Sequence, residues 1–289
     1  MKTKVLVTGA GGQLAKTIHE IYRNSSTIDF TFTTKDELDI TKELIIEKYF
    51  RVNKFNYCIN CAAYTNVEQA ETDYDVAFEA NALGVKNLAL QCKNHQITLI
   101  HISTDYVFDG KKKTPYTEQD IPNPINKYGR SKLEGEYYVQ EILKSYFIIR
   151  TSWLYSKFGK SFLKTIVQKI ENNDHLKITT SQTGAPTSCA DLSEFIVYLI
   201  ENTISDFGIY NFSASGETNW YGYAMQICTH FKAYDCNKIE PIGMYKSQAN
   251  RPDYSILDNK KARRYFNKEF LWRESVDKTV KTLIAGKYN

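Results

Sequence analysis

Short β-branched apolar runs alternate with longer stretches of helical spacing through the first half of the chain. Lys4-Val-Leu-Val-Thr8, Phe30-Thr-Phe-Thr-Thr34, Tyr57–Ala63, Leu99–Ser103 and Tyr146-Phe-Ile-Ile-Arg150 read as strands. Between them, Leu14, Ile18 and Ile21, with Tyr22 beside them, mark one helical face. A second helix is predicted from the turn Asp39-Ile40-Thr41, with Asp39 as its cap, to about Arg51. Glu71–Asn94 reads as mostly one amphipathic helix with Val76, Ala80, Leu83, Leu88 and Leu90 as its apolar candidates. A further helix runs from near Asn126–Tyr128 to about Leu143. Strands and helices joined by crossover-length connections predict an α/β fold with a Rossmann-like, doubly wound parallel sheet. Beyond Arg150 the pattern loosens. Helices are predicted over Ser161–Glu171, Asp191–Glu201 (Asp191 as a candidate cap), Asn219–Phe231 and Ser275–Leu283, with a turn at Gly184-Ala-Pro-Thr187.

Ligands of such sheets bind outside the carboxyl ends of the strands, and Gly9, Ala63, Thr104 and Thr151 all lie at those ends. The first connection, Gly9-Ala-Gly-Gly-Gln-Leu-Ala15, joins a strand to a helix. Glycines there let backbone N–H groups approach a pyrophosphate at the positive helix N-terminus. A tight turn alone would also call for glycine; the flanking strand and helix favour a dinucleotide site. Ala62 and Ala63 are small enough for a flat cofactor to lie close. The second strand ends in Thr33-Thr34-Lys35, with Asp36 and Glu37 just after, so the choice between a ribose hydroxyl and a 2′-phosphate stays open. Asp39 reads as a cap or as an adenine contact. Residues 1–150 are therefore expected to be an NADP-binding Rossmann domain. Residues 151–289 are expected to be a smaller C-terminal substrate lobe with segments that return to the main sheet.

The chemistry centres on Asn126-Lys-Tyr-Gly-Arg-Ser-Lys-Leu-Glu-Gly135. Tyr128 and Lys132 stack on one helical face. A free phenol titrates near ~10, and an adjacent ammonium lowers that value. Ser103-Thr104, ending the run Leu99-Ile-His-Ile102, offers a hydroxyl to hold a carbonyl oxygen against the phenol. With 21 Tyr in the chain and a second pair at the same spacing, Tyr234 and Lys238, the spacing alone is weak and the position in the fold decides. Asn81, a poor helix former inside a helical run, is either a solvated surface residue or a buried one that kinks the helix and supports the site.

Composition narrows the partners. The 289 residues carry 37 basic and 33 acidic side chains, a formal net charge of +4, interspersed along the chain. Lys111-Lys112-Lys113 is too short a block to imply nucleic acid. No apolar run reaches the ~20 residues of a membrane span, and a signal peptide is not expected, so the cytoplasm is the default. Cys58 and Cys61 form a C-x-x-C inside an apolar run without a second half of a zinc site, and read as reduced core thiols. No metal site is expected.

Together these residues resemble the extended short-chain dehydrogenase/reductase superfamily and are most similar to its dTDP-4-dehydrorhamnose reductase branch. The resemblance runs through Thr8-Gly9-x-x-Gly12-x-x-Ala15, Asn60-Cys-Ala-Ala-Tyr-Thr65 and Asn81-Ala-Leu-Gly84. It is most specific in Ser103-Thr-Asp-Tyr-Val-Phe108, Tyr128-Gly-Arg-Ser-Lys132 and Arg150-Thr-Ser-Trp-Leu-Tyr155, and extends to Arg251-Pro-Asp-Tyr-Ser-Ile-Leu-Asp258. Ser161 and Asn211 depart from the branch, which usually has Asn and His there. The resemblance implies Tyr128 as proton donor, Lys132 as the ribose-binding cation that lowers the Tyr128 value, Thr104 on the reacting oxygen and Asn81 in the proton network. It implies that Gly9, Gly12, Gln13, Leu14, Asp39, Ile40, Ala62, Ala63, Tyr64, Thr65 and Ile102 join Tyr128 and Lys132 around NADPH, with NADH as the second option. Asp105, Trp153 and Arg251 would join Thr104 on a nucleotide sugar, reduced at its 4-keto group. Two alternatives are kept: a reductase of another nucleotide-linked 4-keto sugar, and a non-catalytic NADP-binding regulatory subunit. A homodimer is the candidate assembly.

Overall fold

The first strand, β1 (Thr3–Thr8), lies inside a six-stranded sheet with β2 (Ile28–Thr33), β3 (Tyr57–Asn60), β4 (Thr98–Thr104), β5 (Tyr146–Thr151) and a last strand, Gly208–Asn211. The computed structural model describes residues 1–245 and 247–286, so the end of the expected C-terminal lobe, 287–289, lies outside the described residues. From one edge the order is Gly208–Asn211, β5, β4, β3, β1, β2, and every pairing is parallel. Connections run one way from β1 to β2 and the other way from β3 onward. The switch point therefore falls between β1 and β3, where doubly wound sheets open a crevice.

The inner strands read as apolar runs because both faces are covered, whereas the edge strand β2 alternates apolar and polar residues. Leu6, Ile59, Ile100 and Ile148 are fully buried. On one face α1 (Gln13–Tyr22) and the helix Cys189–Glu201 supply Ile18, Leu192, Phe195 and Ile196. On the other, α2 (Glu43–Val52) supplies Ile46 and Phe50. The expected helix over 71–94 is broken into α3 (Tyr74–Phe78), a wide π turn over Glu79–Leu83, and α4 (Gly84–Asn94). Val76 and Leu83, expected on its apolar face, are exposed. Next comes α5 (Lys127–Ile142), capped by Asn126, whose Oδ1 accepts from Gly129 N at 2.7 Å.

Two expected caps differ. Lys42 is extended, so α2 begins at Glu43, and Asp39 instead accepts from Thr41 N and Oγ1 at 3.0 and 2.8 Å. The helix expected at Asp191 begins at Cys189 under a Ser188 cap, with Asp191 in its first turn.

A second core, with Tyr155, Leu163, Ile166, Tyr223, Ile227 and Trp272, lies among the helices Phe162–Glu171, Trp220–Cys228 and Trp272–Ala285. The chain past residue 150 does not all belong to it: Cys189–Glu201, Gly208–Asn211 and Ala262 build the core of the main sheet. Cys228 and Cys236 are joined in a disulfide, whereas Cys58 and Cys61 are unpaired. Among the described residues no helix is long and apolar enough to cross a membrane.

Candidate active site

The strand ends at the switch point enclose a crevice of about 380 Å³. Its floor is the glycine-rich turn. Gly9 adopts φ +70°, and a Cβ there would lie 2.6 Å from Ala62 N, so only glycine brings β1 and the segment after β3 so close. Gly11, Gly12, Gln13 and Leu14 line the crevice at the start of α1. Open space beyond Gly11 and the unpaired first-turn amides typical of a helix N-terminus fit a dinucleotide's pyrophosphate. Ala63, Thr65 and Ile102 line the same space.

Beneath the floor, Asn60 ties three strands together. Its Oδ1 accepts from Thr8 Oγ1 at 2.7 Å and from Ala62 N at 3.2 Å, and its Nδ2 donates to His101 Nδ1 at 3.1 Å. Burial, followed by the nearby Lys132 charge, holds His101 well below its ordinary value, so it stays neutral.

On the wall, α5 presents Tyr128 and Lys132. Lys132 is 2% exposed and donates from Nζ to Ile102 O at 2.6 Å. Desolvation lowers its value from 10.5 to about 8, against the opposing pull of Glu136 and Cys61. Tyr128 is pushed up to about 12 by burial, with Asp105 adding to the rise and the Thr104 side chain opposing it. This differs from the expectation that Lys132 lowers the phenol: burial sets the direction, and the Lys132 ammonium gives its hydrogen bond to the backbone. A phenol in this state keeps its proton at neutral pH.

Thr104 and Asp105 sit behind the phenol, both buried. Thr104 Oγ1 donates to Asp105 Oδ1 at 3.1 Å and accepts from Tyr106 N at 3.2 Å. Burial raises Asp105 from 3.8 to about 7 even though the Ser255 and Thr104 side chains hydrogen-bond it, and its Oδ2 has no partner. Asn81 is fully buried in the π turn. Its amide exchanges hydrogen bonds with the Tyr64 backbone, at 2.9 Å to Oδ1 and 3.0 Å from Nδ2. The same Nδ2 donates to Ser131 Oγ at 3.0 Å, which donates to Tyr128 O at 2.8 Å. Asn81 thus fastens the Tyr64 segment to the first turn of α5.

Other expected residues lie elsewhere. Ile40 is buried in the core below α4, and Asp39 is engaged with Thr41. Just past the end of β2, Glu37, one of the two carboxylates that left the cofactor choice open, folds back to accept from Thr34 N and Oγ1 at 2.8 and 2.9 Å. Trp153, at φ +45°, stacks on Trp220 with centroids 3.6 Å apart and planes within 7°, and Gly184 packs so close to its indole that a Cβ there would stand 2.5 Å from Cε2. Arg251 Nη2 donates to Glu68 Oε1 at 2.5 Å, which is the carboxylate pairing that competes with the expected phosphate contact.

Sequence reasoning missed three features. Cys61 lines the crevice rather than lying wholly in the core. Lys160, from the second lobe, lines it too. Glu136 makes a buried ion pair with Arg150, its Oε2 accepting from Nη2 at 2.6 Å, while Ser103 Oγ donates to its Oε1 at 2.5 Å. Glu136 follows Lys132 by one helical turn and so shares its inward face, a spacing that could have revealed it. Among the described residues no group of three or more His, Cys, Asp or Glu side chains is arranged to hold a metal ion.

A parallel sheet with a glycine-rich turn at its switch point, and a Tyr–Lys pair aimed into the same crevice, defines a dinucleotide-dependent oxidoreductase of the short-chain dehydrogenase/reductase type. Residues 3–285 match the family described as the RmlD substrate binding domain. The dTDP-4-dehydrorhamnose reductase of Aggregatibacter actinomycetemcomitans is 34% identical over 273 residues, 91% of this chain and 93% of that protein. A dTDP-4-keto-6-deoxy-D-glucose reductase of Streptomyces niveus is 32% identical over 89% of each. The crystal structure of the Bacillus anthracis dTDP-4-dehydrorhamnose reductase in complex with NADP superposes with a TM-score of 0.90 at 35% identity, covering 96% of this chain and 99% of that one. The chain belongs to the dTDP-4-dehydrorhamnose reductase family.

Proposed function

We propose that this protein reduces the 4-keto group of dTDP-4-dehydro-L-rhamnose to give dTDP-L-rhamnose, a polysaccharide precursor, with NADPH as reductant and NADH as an alternative. The observation that carries the reading is that Tyr128 and Lys132 line the crevice beside the glycine-rich turn, with the Thr104 side chain hydrogen-bonded to Tyr128. Bound nicotinamide supplies the hydride. Tyr128, protonated at neutral pH, gives its proton to the keto oxygen. Thr104 turns its hydrogen from Asp105 to that oxygen, and Asp105, near neutrality itself, takes a sugar hydroxyl on its unpartnered Oδ2. Lys132 keeps a positive charge in a dry site, where it stabilises the developing phenolate more than it would in water. Gly9, Gly12, Gln13, Leu14, Ala62, Ala63, Tyr64, Thr65 and Ile102 form the cofactor side. Asp39 and Ile40 shape the adenosine end through their backbone.

On the sugar side, Trp153 and the guanidinium of Arg251 complete the pocket, Arg251 taking the diphosphate in place of Glu68. The cytoplasm is the proposed compartment and a homodimer the proposed assembly, checked by fractionation and by light scattering. The family relative that reduces dTDP-4-keto-6-deoxy-D-glucose favours one second reading, a different dTDP-linked 4-keto sugar. The test is NADPH oxidation by purified protein over a panel of nucleotide 4-keto sugars. Turnover highest with dTDP-4-dehydro-L-rhamnose supports the proposal, and turnover highest with another sugar supports the second reading. No turnover, with NADPH still bound, turns the assignment toward a non-catalytic subunit.

A further inference from the structure

The chain past residue 150 reaches the nucleotide crevice at Leu154 and through a strap, residues 156–160, which leads into the helix Phe162–Glu171. This strap is fixed to α1 at both ends of the helix. Ser156 Oγ donates to Gln13 Oε1 at 3.4 Å, and Lys157 Nζ pairs with Glu20 Oε1 at 2.5 Å. Gly159 turns at φ +64° with its Cα against the Gln13 side chain; a Cβ there would stand 3.0 Å from Gln13 Cγ. A non-glycine residue at 159 would both strain the turn and push the strap off Gln13. Lys164 Nζ donates to Lys157 O at 3.2 Å and braces the strap from behind.

The chain therefore delivers Lys160 to the mouth of the crevice, opposite Gly11, Gly12 and Gln13. The lysines on either side of it in the strap and helix, 157 and 164, are both engaged. Lys160 is exposed, and among the described residues its ammonium has no hydrogen bond or ion pair. The start of α1 lines the crevice from the sheet side, and Lys160, which also borders a neighbouring hollow with Ser161 and Lys164, lines it from the lobe side. That arrangement is suited to one dianionic group held between them.

We propose that Lys160 binds the diphosphate of the dinucleotide from the lobe side, making the strap one jaw of a clamp whose other jaw is the glycine-rich turn. The inference rests on the crevice being the cofactor site. It assigns Lys160 to the diphosphate, which NADPH and NADH share, and not to the 2′-phosphate or to the nucleotide sugar.

The test is direct titration of Lys160→Ala, Lys160→Gln and Lys160→Arg with NADPH and with NADH, followed by intrinsic fluorescence at low and moderate salt, together with KM for the nucleotide sugar. An accessible cation on a phosphate should be worth about five- to tenfold in Kd. The Ala and Gln variants should weaken both dinucleotides by the same factor and flatten the salt dependence, while Arg retains most of the affinity. Weakening of NADPH alone would place Lys160 on the 2′-phosphate and overturn the proposal. A raised sugar KM with unchanged Kd for both dinucleotides would place it on the substrate and overturn it equally, as would no change at all. Failure of the wild-type protein to bind either dinucleotide would instead sink the cofactor site itself.

Discussion

Replacing Glu136 by Gln strikes the buried ion pair on which the catalytic helix rests. The Glu136 carboxylate accepts from Arg150 Nε at 3.0 Å, from Arg150 Nη2 at 2.6 Å and from Ser103 Oγ at 2.5 Å, with the two charged side chains 0% and 2% exposed. Neutralising it strands Arg150 in an apolar setting, with Nη1 already lacking a partner and only the Phe108 ring, 5.1 Å away, to compensate. Breaking one side of a buried pair costs about 3–5 kcal/mol, and the cation–π contact, already made in the wild type, offsets little of this. A net loss of about 3 kcal/mol is expected, large beside a typical stability of ~5–15 kcal/mol. Adding Arg150→Met removes the stranded charge and should recover at least half of the loss.

Urea denaturation of the wild type, both single variants and the double variant measures this as a thermodynamic cycle. The same substitution carries a kinetic signature. Glu136 pulls the Lys132 value up toward about 8, so its removal moves the alkaline limb of kcat/KM, which reports loss of the Lys132 ammonium, to lower pH. A loss below ~1 kcal/mol, with no recovery in the double variant and no displaced limb, would refute the reasoning.

Three further outcomes are expected. Asp105, raised from 3.8 to about 7, binds a proton more readily folded than unfolded, so its contribution is complete below pH ~3.8 and is lost as pH rises through ~7. Asp105→Asn should abolish that share of the pH dependence of stability, on the order of 4 kcal/mol, and an unchanged slope in chemical denaturation would contradict it. Glu68→Gln should loosen Arg251 and lower KM for the nucleotide sugar without moving Kd for NADPH. A raised KM would mean that Glu68 serves only to position the 248–251 loop, whose Gln248 and Ala249 amides it also accepts from at 2.8 and 3.2 Å. Glu37→Gln removes the carboxylate at the end of β2 and should raise kcat/KM for NADPH relative to NADH by about fivefold. A constant ratio would show that Glu37 does no more than cap Thr34.

Five of the six strands of the sheet were legible as short apolar or alternating runs between helical stretches, whereas the four-residue edge strand Gly208–Asn211 was not read. The glycine-rich turn was legible too, since strand, glycines and helix occur in one continuous segment. What could not be read was whatever depends on side chains meeting across the fold. The π turn at Glu79–Leu83 leaves no mark in hydrophobic spacing; its one trace was Asn81, a poor helix former read as either a surface residue or a buried kink, and its partners Tyr64 and Ser131 had no local signal. The sign of the Tyr128 shift followed the wrong neighbour: spacing places Lys132 beside it, but desolvation is a tertiary quantity and dominates. Trp220 covers one face of Trp153 from 67 residues away in the chain, and Glu68 reaches Arg251 from 183 away. Neither pairing has a local signal. Glu136 is the exception, since its helical register with Lys132 was present in the sequence.

The central claim is that Tyr128, set against Thr104 and Lys132, protonates the keto oxygen of a dTDP-linked sugar, and NADPH oxidation by the Tyr128→Phe variant tests it most directly. With dTDP-4-dehydro-L-rhamnose at saturation, kcat should fall by about 10²–10⁴ while Kd for NADPH stays close to that of the wild type, because the ring remains and only the proton donor is lost. Turnover within a few-fold of the wild type would contradict the account.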